Sequence, residues 1–250
     1  MSVHGEAARG FGQGAEAYER GRPGYPDEAV QWLCRELELG PGRTVLDVAA
    51  GTGKLTRELV PTGATVVAVE PVAGMRAVLE RVVPGAEALD GTAEALPILD
   101  DSIDAIVVAS AFHWFDAAAA AAEFHRVLRP SGRLALLWNR RRLDQPLQRA
   151  VDEVIGPYRG RSSPRPRRDG WREPLASVGL FRPAAELEVP FEQLLDAEGF
   201  VDRFSSISFV AALPDGERAM VVDRLRGLAA GAGHPIRLGY TGELFLYQRV

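Results

Sequence analysis

One run of twelve residues, an apolar segment passing into a glycine-containing turn, reads Val45-Leu46-Asp47-Val48-Ala49-Ala50-Gly51-Thr52-Gly53-Lys54-Leu55-Thr56. The apolar half predicts a buried strand, and the residues after the glycines predict a helix. Glycines let a backbone approach a ligand closely, and a helix N-terminus presents N–H groups without intrahelical partners. The run therefore predicts a ligand-binding turn between a strand and a helix.

Two nucleotide-binding motifs are similar to this turn but do not match it. A P-loop would need glycine at position 48 and Ser or Thr at position 55, where the chain has Val48 and Leu55. A dinucleotide-binding turn would have a third glycine where Thr56 stands. Nucleoside triphosphate hydrolysis is disfavoured. An NAD(P)-dependent oxidoreductase and a cofactor-binding protein without catalytic activity stay as alternatives for a chain with this turn.

Short runs rich in Val, Ile and Ala alternate with amphipathic segments on both sides of this turn. The alternation predicts an α/β fold with a doubly wound, mostly parallel sheet, whose ligands bind outside the carboxyl ends of the strands. Strands are predicted at 44–49, 65–70, 86–90, 103–110, 132–138, 184–192 and 242–249. Helices are predicted at 53–60, 72–82, 116–128, 193–206 and 215–230, with one more beginning near Asp27 as its N-cap. Residues 1–25 and 158–172 are predicted to be irregular.

Composition restricts the classes of protein that need consideration. At 250 residues and 27.1 kDa the chain fits one large domain. A net charge of -5 and a pI near 5.5 argue against a protein built as a whole to bind nucleic acid or an anionic membrane. No apolar stretch approaches the ~18 residues of a membrane span, and no signal peptide is evident, which predicts a cytoplasmic protein. A single cysteine excludes an intramolecular disulfide.

The second predicted strand, Thr65 to Val69, is followed by Glu70. A carboxylate at this position can accept hydrogen bonds from both hydroxyls of a ribose. Two adjacent strand ends, after Asp47 and at Glu70, are therefore predicted to converge on a nucleoside.

With these motifs the chain resembles the class I S-adenosylmethionine-dependent methyltransferases, in the small-molecule branch known as type 11. The resemblance covers most of the chain. The family usually has glycine where this chain has Ala49. The loop with Asp47, the missing third glycine and Leu96-Pro97 favour methyl transfer over hydride transfer. The segments that carry the resemblance are 47–53, Glu70, 89–97, 102–115 and 124–134.

The resemblance implies a set of cofactor-binding residues and S-adenosylmethionine as the cofactor. Asp47 would lie under the methionine moiety, with the backbone of 49–53 around it, and Glu70 would bind the ribose. Residues 92–94 would edge the adenine, and the Ser110 carbonyl would lie near the methionine amine. The implied set is Asp47, Ala49, Ala50, Gly51, Gly53, Glu70, Pro71, Thr92, Ala93, Glu94, Ser110, Tyr18 and Arg22.

The segment from Tyr18 to Pro26 resembles a lead-in of the same family that folds over the cofactor, with Tyr18 or Arg22 able to reach the methionine carboxylate. The alternative is an anchored strap with polar tips at the surface. Asp104 is interpreted as structural, and Asp116 as a helix N-cap.

His113 falls just past the fourth predicted strand, where the resemblance places it opposite the transferred methyl group. An imidazole is suited to remove a proton from a hydroxyl or a carboxylic acid acceptor. The alternative is packing beside Trp114 and Phe115, because methyl transfer from a sulfonium can proceed on proximity and orientation alone.

The methyl acceptor is predicted to be a small molecule, with oxygen favoured over nitrogen or carbon. Arginines at 140–142 and 159–172 predict either an anion-binding rim, which would favour an acidic acceptor, or a solvated loop. No metal site is predicted. The substrate-side candidates are Tyr25, His113, Trp114 and Asn139.

The domain organisation expected from the resemblance is one methyltransferase domain over 1–250. Residues 1–40 would cap the cofactor, and segments 140–180 and 193–235 would form a cap on the substrate side, over the carboxyl ends of the strands.

Overall fold

A computed structural model of the chain describes residues 14–159 and 170–250. Residues 1–13, and residues 160–169 of the arginine-rich segment, lie outside the described residues. Among the described residues no helix has both the length and the apolar character needed to cross a bilayer.

Seven strands and ten α-helices form the described part of the chain. The strands are β1 (Thr44–Val48), β2 (Thr65–Val69), β3 (Glu87–Leu89), β4 (Ile103–Ala109), β5 (Leu128–Arg141), β6 (Phe181–Leu195) and β7 (Ile236–Arg249). The helices are α1 (Ala15–Gly21), α2 (Asp27–Glu36), α3 (Thr56–Leu59), α4 (Ala73–Val82), α5 (Ala117–Val127), α6 (Pro146–Ile155), α7 (Arg172–Ser177), α8 (Ala197–Ser205), α9 (Ser208–Ala211) and α10 (Asp215–Ala230). Three 3₁₀ turns occupy 60–62, 112–114 and 156–158.

The strands form one sheet in the order β3-β2-β1-β4-β5-β7-β6. β1 lies parallel to both β2 and β4, and Asp47 is in register with Ala68 on one side and Val107 on the other. β2 is parallel to β3, and β4 to β5. The predicted α/β fold with a doubly wound, mostly parallel seven-stranded sheet is confirmed.

Contacts divide the chain into two compact units. Unit 1 comprises Met1–Pro23, Asn139–Arg165 and Pro190–Thr241. Unit 2 comprises Gly24–Trp138, Pro166–Val189 and Gly242–Val250. The cap predicted at 140–180 and 193–235 stays a prediction.

In unit 2 alternate residues of the central strands enter different apolar clusters. Leu46 and Val48 pack in one cluster with Phe112 and Phe124. Val45 packs in a second cluster with residues of α2, among them Leu33. The sheet of this unit is therefore covered on both faces, as expected of parallel strands.

Unit 1 has an apolar core of its own, built from helices. α6, α8 and α10 contribute to it, and the first part of β7 supplies Tyr240. Val151, Phe200, Phe204, Leu225 and Tyr240 are at most 1% exposed.

Several predicted element boundaries were wrong. The segment 1–25, predicted to be irregular, contains α1, and α6 forms where no helix was predicted. Asp27 is the first residue of α2, and its N-cap is Pro26, whose extended backbone has φ -65°. β6 continues to Leu195, so the helix predicted at 193–206 begins only after Asp196, which caps it through a hydrogen bond from the Gly199 N–H.

Two structural assignments from the sequence are confirmed. Asp116 is the N-cap of α5, where its carboxylate accepts hydrogen bonds from the N–H groups of Ala118 and Ala119. Asp104 accepts a hydrogen bond from the Thr44 N–H at 2.7 Å and pairs with Arg129 at 2.6 Å. Burial acts to raise the pKa of Asp104, but the hydrogen bonds from Arg129 and Thr44 lower it overall.

Candidate cofactor site

The turn after β1 takes a left-handed backbone at three positions. Ala49, Gly51 and Gly53 have φ values of 57°, 60° and 83°. A side chain is excluded at Gly53 for a second reason, because a Cβ there would lie 2.8 Å from Cγ2 of Val83. Ala49 is the only one of the three with a Cβ, and left-handed backbone costs such a residue roughly 1–2 kcal/mol. Strain of this kind is typical of functional turns.

Glu70 ties this turn to the end of β2. It is 5% exposed, and its Oε2 and Oε1 accept hydrogen bonds from the N–H groups of Gly51 and Val72, each at 2.8 Å. Burial raises the pKa of the carboxyl, while these two hydrogen bonds act against the rise. A carboxylate oxygen has about two lone pairs, so each of the two oxygens keeps one for a further donor.

Asp47 lies beneath the turn and has no exposed surface. Its Oδ2 accepts a hydrogen bond from the Thr56 hydroxyl at 2.7 Å, whereas its buried Oδ1 has no hydrogen-bond partner among the described residues. Burial raises the pKa of Asp47 to about 7, the Thr56 hydroxyl acts against this rise, and the charge of Glu70 adds to it. The site thus holds a buried carboxyl with one oxygen that lacks a donor.

The segment after β3 forms a tight turn around Ala93, which is 3% exposed. The Ala95 N–H donates to the Thr92 carbonyl at 3.2 Å. Glu94 accepts a hydrogen bond from the Asp116 N–H at 3.0 Å, which joins this turn to the start of α5. Part of the Glu94 carboxylate therefore holds the turn in place.

Ser110 directly follows β4 and has a left-handed backbone, at φ 56°. Its N–H donates to the Leu137 carbonyl at 2.7 Å, which fixes the turn against β5. β1, β2 and β4 are parallel neighbours, so their carboxyl ends lie at the same edge of the sheet. Asp47, Glu70 and Ser110 are located at these three ends.

His113 lies in the 3₁₀ turn after β4, beside two indole rings. The His113 and Trp114 ring centroids are 5.0 Å apart. The Trp138 Nε1–H donates to His113 Nδ1 over 3.5 Å, a long hydrogen bond. An indole N–H only donates, so this contact favours the neutral tautomer with its proton on Nε2.

Trp138 connects His113 to an aromatic cluster. It stacks on Trp171 with centroids 4.8 Å apart, and Phe245 lies 5.1 Å from Trp171. The Arg172 guanidinium covers the Phe245 ring at 4.3 Å. Trp138 and Trp171 are thus placed by packing.

Of the predicted site residues, Tyr18, Arg22 and Asn139 belong to unit 1, and the others, Tyr25 among them, belong to unit 2. The Arg22 guanidinium lies 4.7 Å from the Tyr18 ring centroid, and it donates to the Ser206 carbonyl at 3.5 Å. Asn139 is partly buried after Trp138. In unit 2, Tyr25 packs against the cluster that contains Leu33. The roles of these four residues toward cofactor and acceptor stay predictions.

Sequence reasoning missed two residues that support the site. Thr56 supplies the hydroxyl bonded to Asp47. Arg76 donates to the Glu70 carbonyl at 2.5 Å and pairs with Asp90 at 3.2 Å, across the strand ends. Thr56 follows the glycine turn by three residues and could have been found as the first helical hydroxyl, whereas no signal in the sequence marks Arg76.

Comparison with known proteins finds methyltransferases, in agreement with the resemblance noted in the sequence. A family model described as a methyltransferase domain matches residues 46–136. An uncharacterized methyltransferase of Mycobacterium bovis is 40% identical over 242 residues, which are 96% of this chain and 93% of that protein. An uncharacterized methyltransferase-like protein of Schizosaccharomyces pombe is 33% identical and covers 85% of this chain and 82% of its own length.

The chain belongs to the class I S-adenosylmethionine-dependent methyltransferases. A solved structure of a putative type II methyltransferase from Anaeromyxobacter dehalogenans has the same fold, with a TM-score of 0.65 over 91% of this chain and 97% of that one at 24% identity. A geranyl diphosphate methyltransferase solved in complex with S-adenosylmethionine aligns with a TM-score of 0.53 at 15% identity, over 89% of this chain and 85% of that one. Membership of the family implies use of S-adenosylmethionine.

The residues of this methyltransferase fit that cofactor. Asp47 Oδ1 is a buried acceptor without a donor, which suits a cationic amine. Glu70 keeps one acceptor position on each oxygen, which suits a pair of hydroxyls. Among the described residues no cluster of three or more His, Cys, Asp or Glu side chains is arranged to hold a metal ion.

Proposed function

We propose that this methyltransferase transfers a methyl group from S-adenosylmethionine to a small-molecule acceptor, with a hydroxyl or carboxylate oxygen favoured. When bound, the cofactor supplies a sulfonium methyl group that a nucleophile displaces in line. The remaining work of the chain is to hold the cofactor and to orient the acceptor.

The observation that carries this proposal is the unpartnered oxygen of Asp47, buried beneath a left-handed turn and close enough to Glu70 for the two charges to interact. In the proposed complex the Asp47 carboxylate receives the methionine amine, and the Glu70 carboxylate receives the two ribose hydroxyls. The backbone from Ala49 through Ala50 and Gly51 to Gly53 surrounds the methionine and ribose, together with Pro71. Thr92, Ala93 and Glu94 edge the adenine, and the Ser110 carbonyl takes part in holding the amine.

His113 is proposed to contact the acceptor. The sequence suggested a general base, but the Trp138 indole lies against Nδ1, which directs the proton of the neutral ring to Nε2. In that tautomer Nε2 is a hydrogen-bond donor. We therefore propose that His113 donates a hydrogen bond to an oxygen of the acceptor. A carboxylate acceptor has no proton to lose and needs no base, whereas for a hydroxyl acceptor the general-base role of His113 stays a prediction.

Calorimetry with S-adenosylhomocysteine tests the cofactor site. Glu70→Gln is expected to weaken binding about tenfold or more, since a hydrogen bond to a charged group contributes about 1.5–3 kcal/mol. The matched control is Glu80→Gln, at an exposed position of α4, which should bind as the native protein does. Equal affinity of the two variants would remove Glu70 from the site.

Turnover tests the reaction itself. Production of S-adenosylhomocysteine is measured with panels of hydroxyl, carboxylate and amine acceptors of low molecular mass. We expect turnover with an oxygen acceptor. Cofactor binding without turnover on any panel would instead favour a binding protein without catalytic activity.

A further inference from the structure

Unit 1 buries more positive than negative charge in one place. Arg141 at the end of β5, Arg203 on α8 and Arg159 after the 3₁₀ turn at 156–158 form a group that we name the arginine cluster. Of the charges that act on Arg141, Asp152 supplies the only carboxylate among the described residues. That carboxylate lies 2.7 Å from Arg159 but 3.5 Å from Arg141. Its charge is therefore best matched to Arg159.

Arg141 is held by neutral groups. Its Nε donates to the Gln148 side-chain oxygen at 2.7 Å, and its Nη2 donates to the Gln148 carbonyl at 2.6 Å. Burial lowers the pKa of Arg141 to about 10, and repulsion from Arg203 contributes to this change. The guanidinium thus has a fixed position and an incompletely balanced charge.

Arg203 is 4% exposed. Its Nε donates to the Tyr240 hydroxyl at 2.7 Å, whereas its buried Nη1 has no hydrogen-bond partner among the described residues. The guanidinium carbons of Arg141 and Arg203 lie 5.1 and 5.2 Å from the Phe204 ring centroid. Two like charges therefore share one aromatic ring, an arrangement that is costly without a counter-ion.

We propose that Arg141 and Arg203 form an oxyanion-binding site in unit 1, which takes a small molecule with carboxylate or phosphate groups. A guanidinium presents donors in a planar fork that matches the oxygens of either group. The side chains of Arg159 and Arg141 are 39% and 13% exposed, and Arg203 is nearly buried, so an anion entering along the cluster reaches Arg203 last. The bound anion would supply the missing acceptor for Arg203 Nη1 and balance the excess charge.

Calorimetry with inorganic phosphate and with citrate as probes tests the site in the full chain. The native protein is expected to bind at least one probe, and the probe that binds more tightly identifies the group as phosphate or carboxylate. Arg203→Met keeps the apolar stem and removes the fork, and it should weaken binding about tenfold or more. Arg218→Gln, at a half-exposed arginine of the same unit paired with Asp215, should leave binding unchanged.

A second measurement applies if Arg203→Met does not fold. Crystals of the native protein are soaked in selenate, and the anomalous signal of selenium is located. Density within hydrogen-bond distance of Arg141 and Arg203 supports the proposal. Failure of both probes to bind at millimolar concentration, equal binding by the Arg203 and Arg218 variants, or selenate sites only elsewhere would overturn it. None of these outcomes depends on cofactor binding or methyl transfer.

Discussion

Asp47 is a carboxyl group that the fold buries completely and satisfies on one oxygen only. A rise in its pKa from 3.8 to about 7 corresponds to roughly 4 kcal/mol of unfavourable charge burial at neutral pH. The cost is explained if a cationic ligand group pairs with the carboxylate when it binds.

Replacement of this carboxyl should stabilise the ligand-free protein. The folded state binds more protons than the unfolded state between about pH 4 and pH 7, so the contribution of Asp47 to stability falls as the pH rises through that window and is constant above it. Asp47→Asn should therefore be more stable than the native protein. The difference between their free energies of unfolding should grow by about 2 kcal/mol from pH 5 to pH 8, as measured by urea unfolding.

Asp104→Asn provides the contrast for this experiment. The pKa of Asp104 is lowered in the folded state, so its carboxylate contributes stability above the pKa of the unfolded chain. Removal of that carboxylate should destabilise the protein at pH 8. A pH-independent difference between native protein and Asp47→Asn would contradict the buried charge assigned to Asp47.

Ala49 carries strain that glycine would relieve. Left-handed backbone costs a residue with a Cβ roughly 1–2 kcal/mol, and glycine loses about 0.5–1 kcal/mol in the entropy of the unfolded chain. Ala49→Gly should thus be neutral or stabilising by up to about 1 kcal/mol in chemical denaturation. Ala50→Gly, at a neighbour without positive φ, should lose about 0.5–1 kcal/mol. Equal losses in the two variants would show that Ala49 is unstrained.

Helix α1 lies against α8 at a point where only glycine fits. A Cβ on Gly21 would stand 2.3 Å from the Arg203 backbone nitrogen. Arg20 of α1 bonds to Asp202 of α8 at 2.8 Å, and the Gln193 amide of β6 donates to the Gly21 carbonyl at 2.9 Å. Helix α1 is therefore attached through its backbone to α8 and β6 of unit 1.

Gly21→Ala should weaken this attachment, because the new methyl group displaces backbone that cannot move freely. We expect a loss of about 1–3 kcal/mol of stability, or earlier protease cleavage near residues 14–23. Gly24→Ala is the control, since a Cβ there meets nothing within 4 Å. A Gly21 variant as stable and as protease-resistant as the Gly24 variant would rule out the close packing.

The strands of unit 2 could be predicted from the sequence because parallel strands covered on both faces are continuous apolar runs. β1, β2 and β4 were located within one residue at each end. Helix α6 was not predicted, although it also has an apolar repeat at Leu147, Val151, Val154 and Ile155. β6 is different, since most of its residues alternate between partly buried and exposed, and only Phe181, Val189 and Leu195 are buried.

At the scale of the molecule, the residues proposed to bind the cofactor lie at or just after strand ends, and the order of strands in a doubly wound sheet brings those ends together. Their role toward the cofactor stays a prediction. The arginine cluster of unit 1 could not be predicted from the sequence. Its members come from β5, α8 and the turn after α6, and Tyr240 from β7 completes it. No local pattern relates such residues, and the acidic net charge of the whole chain conceals them.

The pH dependence of cofactor affinity tests most directly whether the methyltransferase site is built around an ionised Asp47 that pairs with the amine of the cofactor. The dissociation constant of S-adenosylhomocysteine is measured from pH 6 to pH 8.5 for the native protein and for Asp47→Asn. The variant is the control, because any pH dependence caused by titration of the ligand itself is still present in it. Pairing with a cationic amine requires the ionised carboxylate, so native affinity should rise with pH up to about pH 7, by about tenfold per unit at the acid end, while the variant binds weakly without this slope. A native protein that does not bind, or a variant that binds with the same affinity and the same slope, would contradict the account.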